Sequence, residues 1–196
     1  DETTSLIIPE GSGFRLELLG ANCFATDILI DGNGNDLYMS QGAYLFQDAY
    51  LSDMRLTGMT RVGAQSVTFT GDSVVVVDTL QSHSGSYNTM YAESFLINRG
   101  LIQDNGDTDL NIDLEDDLLN SGTIENDDLY FVGTTDQHIS MTPEAVFRNV
   151  RLGAKDSTTA VILASDLHLI DCEVDFDWSD ETTSLIIPEG SGFRLE

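Results

Sequence analysis

Residues 147–174 read FRNVRLGAKDSTTAVILASDLHLIDCEV, and one short figure opens and closes the stretch. Phe147-Arg-Asn149-Val-Arg-Leu152 and Leu169-Ile-Asp171-Cys-Glu-Val174 each give an apolar residue, then Asn or Asp two places on. Apolar residues follow one and three places after that polar position. Side chains of a strand alternate between faces with period two. Leu169 and Cys172 can share an inner row only if the chain bends at Asp171. Asn and Asp tolerate a left-handed backbone, and their side chains bond neighbouring peptide groups. The figure therefore reads as a corner between two strands.

The same corner recurs outward from this stretch. Leu51-Ser-Asp53-Met-Arg-Leu56 matches it directly. Leu96-Ile-Asn98-Arg-Gly100-Leu-Ile102 and Leu118-Leu-Asn120-Ser-Gly122-Thr-Ile124 carry a variant with Gly, and Asn22-Cys23 is a weaker copy. Strand-like alternation fills the intervals, as in Asp109-Leu110-Asn111-Ile112-Asp113-Leu114, while DGNGND at 31–36 and QDNGD at 103–107 supply turns. Asparagines stacked corner on corner can pair their amides in a ladder. Irregular coils of about 20–30 residues sharing one corner type indicate an all-β parallel β-helix, a β-solenoid. An antiparallel sandwich fits less well, because two-residue hairpin turns are scarce.

The chain also ends as it begins. DETTSLIIPEGSGFRLE occupies both 1–17 and 180–196, an offset of 179 residues. Residues 1–179 thus form one full solenoid repeat, and 180–196 start the next identical one. Counted through the next repeat, the corners fall at intervals of 31, 45, 22, 29, 22 and 30 residues. With the 45 divided in two near Gly71-Asp72, the expectation is seven coils per period and an axial advance of roughly 34 Å at the usual strand spacing. Each coil buries its inner face only against its neighbours, so identical repeats stacked end to end are the expected partners.

The formal net charge is −26, with 34 acidic side chains against 8 basic ones. A field this negative argues against nucleic acid and anionic membrane surfaces. Hydrophobic content of 41% is ordinary for a folded domain. An apolar run of about 18 residues is missing, so no membrane span is expected in this stretch.

Two acidic loops offer oxygens at alternating positions: Asp31, Asn33, Asn35 and Asp36 in one, Asp104, Asp107 and Asp109 in the other. Calcium takes six to eight such ligands, so these are the candidate metal ligands, although neither loop has the helix–loop–helix spacing. Otherwise no cofactor is expected. Cys23 and Cys172 each follow a corner residue, and the next repeat's Cys23 would lie one coil beyond Cys172, a candidate inter-repeat sulfur pair. His83, His138 and His168 share no metal-ligand spacing, no nucleophile–base arrangement appears, and acids are too abundant to single out a catalytic pair. An enzyme is not expected.

Residues 134–176 resemble a segment of secreted surface proteins of Bacteroidota. Gln137-His138-Ile139-Ser140, Phe147-Arg148-Asn149-Val150 and Val161-Ile162-Leu163-Ala164-Ser165-Asp166-Leu167 match its three blocks. The run at 119–124 is similar to haemagglutinin and adhesin repeats. The resemblance implies a right-handed parallel β-helix, exported by the type IX route and displayed outside the cell. The expected function is a structural repeat unit of an extracellular filament, stalk or adhesin for attachment, gliding or prey capture. Its expected partners are identical repeats, homo-oligomeric bundles and a glycan or cell-surface target. The alternative is a carbohydrate-binding or polysaccharide-cleaving β-helix.

Overall fold

The computed structural model describes residues 4–20, 23–63, 67–83, 88–155, 160–175 and 184–196. Short alternating strands separated by corners can bury one face each only by stacking turn on turn, and this is what they do. Every described pairing is parallel, and three sheets result, here called A, B and C. Sheet A stacks nine strands from Thr4–Ile7 through Ile28–Asp31, Ala49–Ser52 and Val67–Thr70 to Arg151–Ala154 and Glu173–Asp175. Sheet B runs from Arg15–Leu18 and Asp36–Met39 to Ala160–Leu163 and Ser184–Ile186. Sheet C runs from Phe24–Ala25 and Tyr44–Leu45 to Leu167–Ile170 and Phe193–Leu195. The chain visits A, B and C in order. Arg55–Val62 passes through B and C as one long strand, bent at Gly58 (φ +75°). No helix occurs among the described residues. The fold is a parallel β-solenoid of about eight turns.

Inward side chains form columns running the length of the stack. On sheet A, Ile30, Leu51, Phe69, Ala92, Leu114, Phe131 and Ala154 succeed one another by register, all buried. Phe69 stacks beside Ala92 and Phe131 beside Ala154, so each large ring is met by a small neighbour. That alternation keeps a narrow interior filled without overlap. On sheet C, Leu80, Ile102, Ile124, Phe147 and Leu169 form a matching column.

The turn count corrects the expectation of seven coils on a single corner type. The marked residues sit at three different corners. Asp53 lies between sheets A and B, Asn98 and Asn120 at the B-to-C corner, and Asn149 and Asp171 at the C-to-A corner. The 22-residue intervals are therefore single turns, while 29 and 45 residues measure one and a third and two and a third turns. Asn22 lies outside the described residues.

Candidate functional site: corners, a charged face and the stack ends

The corners divide into two chemical types. Asp53, Asn149 and Asp171 have positive φ of 49°, 53° and 52°, the left-handed bend expected of them. The Asp53 carboxylate also reaches the next turn. Its Oδ1 accepts the backbone N–H of Asp72 (2.7 Å) and of Ser73 (3.1 Å), so one side chain bends its own turn and caps its neighbour. Asn98 and Asn120 do not adopt the left-handed region and are wholly buried. Asn98 Nδ2 donates to Asn120 Oδ1 at 2.9 Å, a two-member amide ladder. Each Oδ1 also accepts the N–H of the following glycine at 3.1 Å. Any Cβ on Gly100 would run into the Asp78 carbonyl, and one on Gly122 into the Gly100 carbonyl, so the backbones close here at glycine distance.

Two further corners of this figure escaped the sequence reading, and Asn33 (φ +44°), read there as a metal ligand and not as a corner, makes a left-handed bend at an A-to-B corner. Asp27 (φ +50°) and Asp48 (φ +55°) make the same left-handed bend at the C-to-A corner. Their signal was present: Ala25-Thr-Asp27-Ile-Leu-Ile30 and Phe46-Gln-Asp48-Ala-Tyr-Leu51 both fit the figure, with alanine standing at one apolar place.

The acidic loops use their polar groups internally. Asn33 Nδ2 donates to Ile8 O (2.8 Å), and Asn35 Nδ2 to Gly32 O (2.8 Å) and Pro9 O (3.2 Å). Asp31 Oδ1 accepts the Asn33 N–H at 3.1 Å, and Asp36 faces Arg55 at 3.5 Å. In the second loop Asp104 Oδ1 accepts the Leu110 N–H (2.6 Å), and Asn105 Oδ1 accepts those of Asp107 and Thr108. Burial, reinforced by Asp109 and Asp127 and opposed by the Leu110 N–H, pushes Asp104 up to about 6. Among the described residues no three His, Cys, Asp or Glu side chains converge on a metal-sized point.

On and beside the outer face of sheet A stand two of the chain's eight basic residues, Arg151 and Lys155. By register, Asn111, Asp128, Arg151 and Glu173 form one outward column, and Asp113, Tyr130, Gly153 and Asp175 the next. Arg151 grips Asp128 through Nε (2.7 Å) and Nη2 (2.6 Å), a bidentate pair that raises the guanidinium's affinity for its proton. Lys155, the one lysine, reaches Asp113 two turns away at 3.1 Å and lies 3.8 Å from the centre of the Tyr130 ring. Burial and Asp128 push the Tyr130 hydroxyl up to about 12. Arg151 thus sits between Asp128 and Glu173 in the first column, and Lys155 reaches in to Asp113 of the second. Beside Arg151, a groove of 270 Å³ is lined by Asp127, Asn149, Val150, Asp171 and Glu173.

The ends carry the apolar exposure. Leu6, Ile7, Phe14, Leu19 and Phe24 are exposed on the first turn, and Val174, Ile186, Ile187, Phe193 and Leu195 on the last. Among the described residues only Tyr91 adds a large exposed apolar side chain between them. Cys23 lies at the B-to-C corner of the first turn and Cys172 at the C-to-A corner leading into the last; both are free, half-buried and packed on the core. Burial pushes the Cys172 thiol up. The sequence placed them as neighbours only across a repeat junction, and within this chain they sit at opposite ends of the stack. Compared with protein-family models, curated proteins and solved structures, the chain matches none of them.

Proposed function

We propose that this chain is a repeat unit of a long solenoid shaft, the stalk of an extracellular filament or adhesin. Its role is mechanical and its main partner is its own sequence. One observation carries the reading: the seventeen-residue duplicate supplies edge strands at both ends of the stack, and among the described residues those ends hold all the large exposed apolar side chains except Tyr91. An open edge with a bare inner face is a binding surface for another strand of matching pattern. A further copy of the sequence has that pattern. The acidic sides keep such shafts apart and soluble. Display at the surface of a Bacteroidota cell, by type IX export, follows from the resemblance of residues 134–176.

The test is a chain of two periods, residues 1–179 followed by 1–196, measured by small-angle scattering. A continuous shaft lengthens by about 40 Å per period at the usual strand spacing, with no change in cross-section. Two separate bodies on a flexible joint would overturn the reading. A glycan-directed role is the second reading, favoured by the groove that sets Arg151 among Asp127, Asp171 and Glu173. Turnover or retention of acidic and neutral polysaccharides by the 196-residue chain would establish it.

A further inference from the structure

The two copies of the duplicated segment do not occupy equivalent places. Thr4–Ile7 lies in sheet A, yet Ser184–Ile186, the same letters as Ser5–Ile7, lies in sheet B against Ala160–Ile162. Arg15–Leu18 lies in sheet B, while Phe193–Leu195, equivalent to Phe14–Leu16, lies in sheet C against Leu167–Leu169. Both strands of the copy are displaced by one sheet, in the same direction. The turn between them is nonetheless conserved. Ser12 N–H donates to Pro9 O at 3.2 Å and Ser191 N–H to Pro188 O at 3.1 Å, and Gly11 and Gly190 both have positive φ. The Pro-Glu-Gly-Ser turn recurs at two different corners, although Gly13 has a positive φ and its copy Gly192 does not.

The strand count agrees with this displacement. From Thr4–Ile7 to Glu173–Asp175 the described residues form 24 strands, and Arg55–Val62 serves two sheets. That makes 25 strand places at three per turn, or eight and one-third turns per period. We infer that successive repeats of this solenoid are rotated by a third of a turn, so that each repeat presents on sheet B what its predecessor presents on sheet A. The inference rests on the shaft reading above and adds its phase.

The phase decides which residues meet at the junction. The next repeat's Ile28–Asp31 continues sheet B on Ser184–Ile186, as Ile28–Asp31 stacks on Thr4–Ile7 here. Its Phe24–Ala25 strand then stacks in sheet A on Glu173–Asp175. Cys23 immediately precedes the first of these strands and Cys172 the second, so the two thiols become successive members of one inward column. The column is already apolar on either side. Val150 lies one turn below Cys172, marked by the Glu173 N–H to Val150 O bond of 3.0 Å. Ala43 lies one turn above Cys23, marked by the Tyr44 N–H to Cys23 O bond of 3.1 Å. The sequence keeps the same pair of residue types at 149–150, 171–172 and 22–23: Asn or Asp, then a small or sulfur-bearing apolar residue. Stacked strands are about 4.8 Å apart, inside the roughly 4.4–6.8 Å range of Cα separations a disulfide spans. With a whole number of turns the next Cys23 would instead return to the B-to-C corner. A strand of about five residues, roughly 17 Å, would then separate it from Cys172.

The two-period chain tests this directly. The first-period Cys23 and the second-period Cys172 are replaced by Ala, leaving only the junction pair. Diamide, a diazene, takes one hydrogen from each thiol to become the hydrazine while the sulfurs join, so atoms and electrons balance. Near-complete conversion of the native chain, read as a loss of two hydrogens and as one linked peptide joining the two cysteines, is the expected result. An elongated two-period rod whose thiols both stay reduced would overturn the phase and leave the shaft intact. As a second measurement, a small tag at exposed Asp107 in each repeat of a six-repeat chain is imaged by electron microscopy. Tags stepping around the axis and returning to one side every third repeat support the inference. Tags along a single side refute it.

Discussion

At the scale of single residues, this solenoid turns its corners on a few small polar side chains and glycines. Asp53 combines a left-handed backbone with two hydrogen bonds into the next turn. Asp53→Asn keeps tolerance of that backbone and an acceptor oxygen, whereas Asp53→Ala loses both. Charge-assisted bonds are worth about 1.5–3 kcal/mol each before the neighbours relax toward water. Asp53→Ala is therefore expected to cost about 2–3 kcal/mol in urea unfolding, and Asp53→Asn less than half of that. Gly122→Ala fails differently, since its Cβ would collide with the Gly100 backbone. A backbone shift in a packed stack costs about 1–3 kcal/mol, measured in the same titration. The bends at Asp53, Asn149 and Asp171 were legible because the corner breaks the period-two rhythm of flanking apolar residues. Asp27 and Asp48 were not, because Ala25 and Ala49 blunt the apolar contrast that marks the break. The amide pairing of Asn98 with Asn120 was legible as a ladder of stacked corners, but that these two occupy a different corner from Asp53 was not, because one strand does not show which turns stack on it.

At the scale of elements, the loop joining Leu101–Gln103 in sheet C to Leu110–Leu114 in sheet A holds a strongly perturbed carboxylate. Asp104 is pushed to about 6, mainly by burial and then by Asp109 and Asp127. The unfolded chain titrates near an ordinary aspartate value of about 3.9. Between those two values the folded state binds more protons than the unfolded state. The burden of the buried charge is thus complete above about pH 6 and is relieved as pH falls from about 6 to about 4. Asp104→Asn keeps an oxygen for the Leu110 N–H and removes the charge. It should raise the denaturation midpoint at pH 7 and flatten the rise in stability that the parent chain shows on acidification through that window. Parallel pH profiles for the two chains would disprove the assignment. The Asp and Asn side chains of 104–109 suggest a calcium loop by composition, while the hydrogen bonds they make within the fold are not legible in the sequence. In three dimensions Asn105 closes its own turn and Asp104 caps a strand.

At the scale of the whole molecule, charge and topology set the behaviour together. Parallel coil-on-coil stacking was readable from the recurring corner, but which corners stack together and the number of turns were not, because intervals of a turn and a third look like long single turns in one dimension. Charge was readable outright, and it leads to a sign that can be checked. With 34 acids against 8 bases spread along a narrow stack, like charges repel over distances that low salt does not screen. The Debye length falls from about 30 Å at 0.01 M to about 3 Å at 1 M. Attractive pairs such as Arg151–Asp128 and Lys155–Asp113 are short and partly buried, so screening weakens them less than it weakens the long-range repulsion. The thermal midpoint should therefore rise as sodium chloride is added from 0.01 to 1 M, most steeply at the low end. A fall would mean that the ion pairs outweigh the field. Divalent ions separate screening from binding. At matched ionic strength, calcium and magnesium should raise the midpoint alike if they act on the field alone. A rise specific to calcium that disappears in a chain with Asp104→Asn, Asp107→Asn and Asp109→Asn would show that the loop of sheet-C-to-sheet-A residues closes around the ion when it is offered.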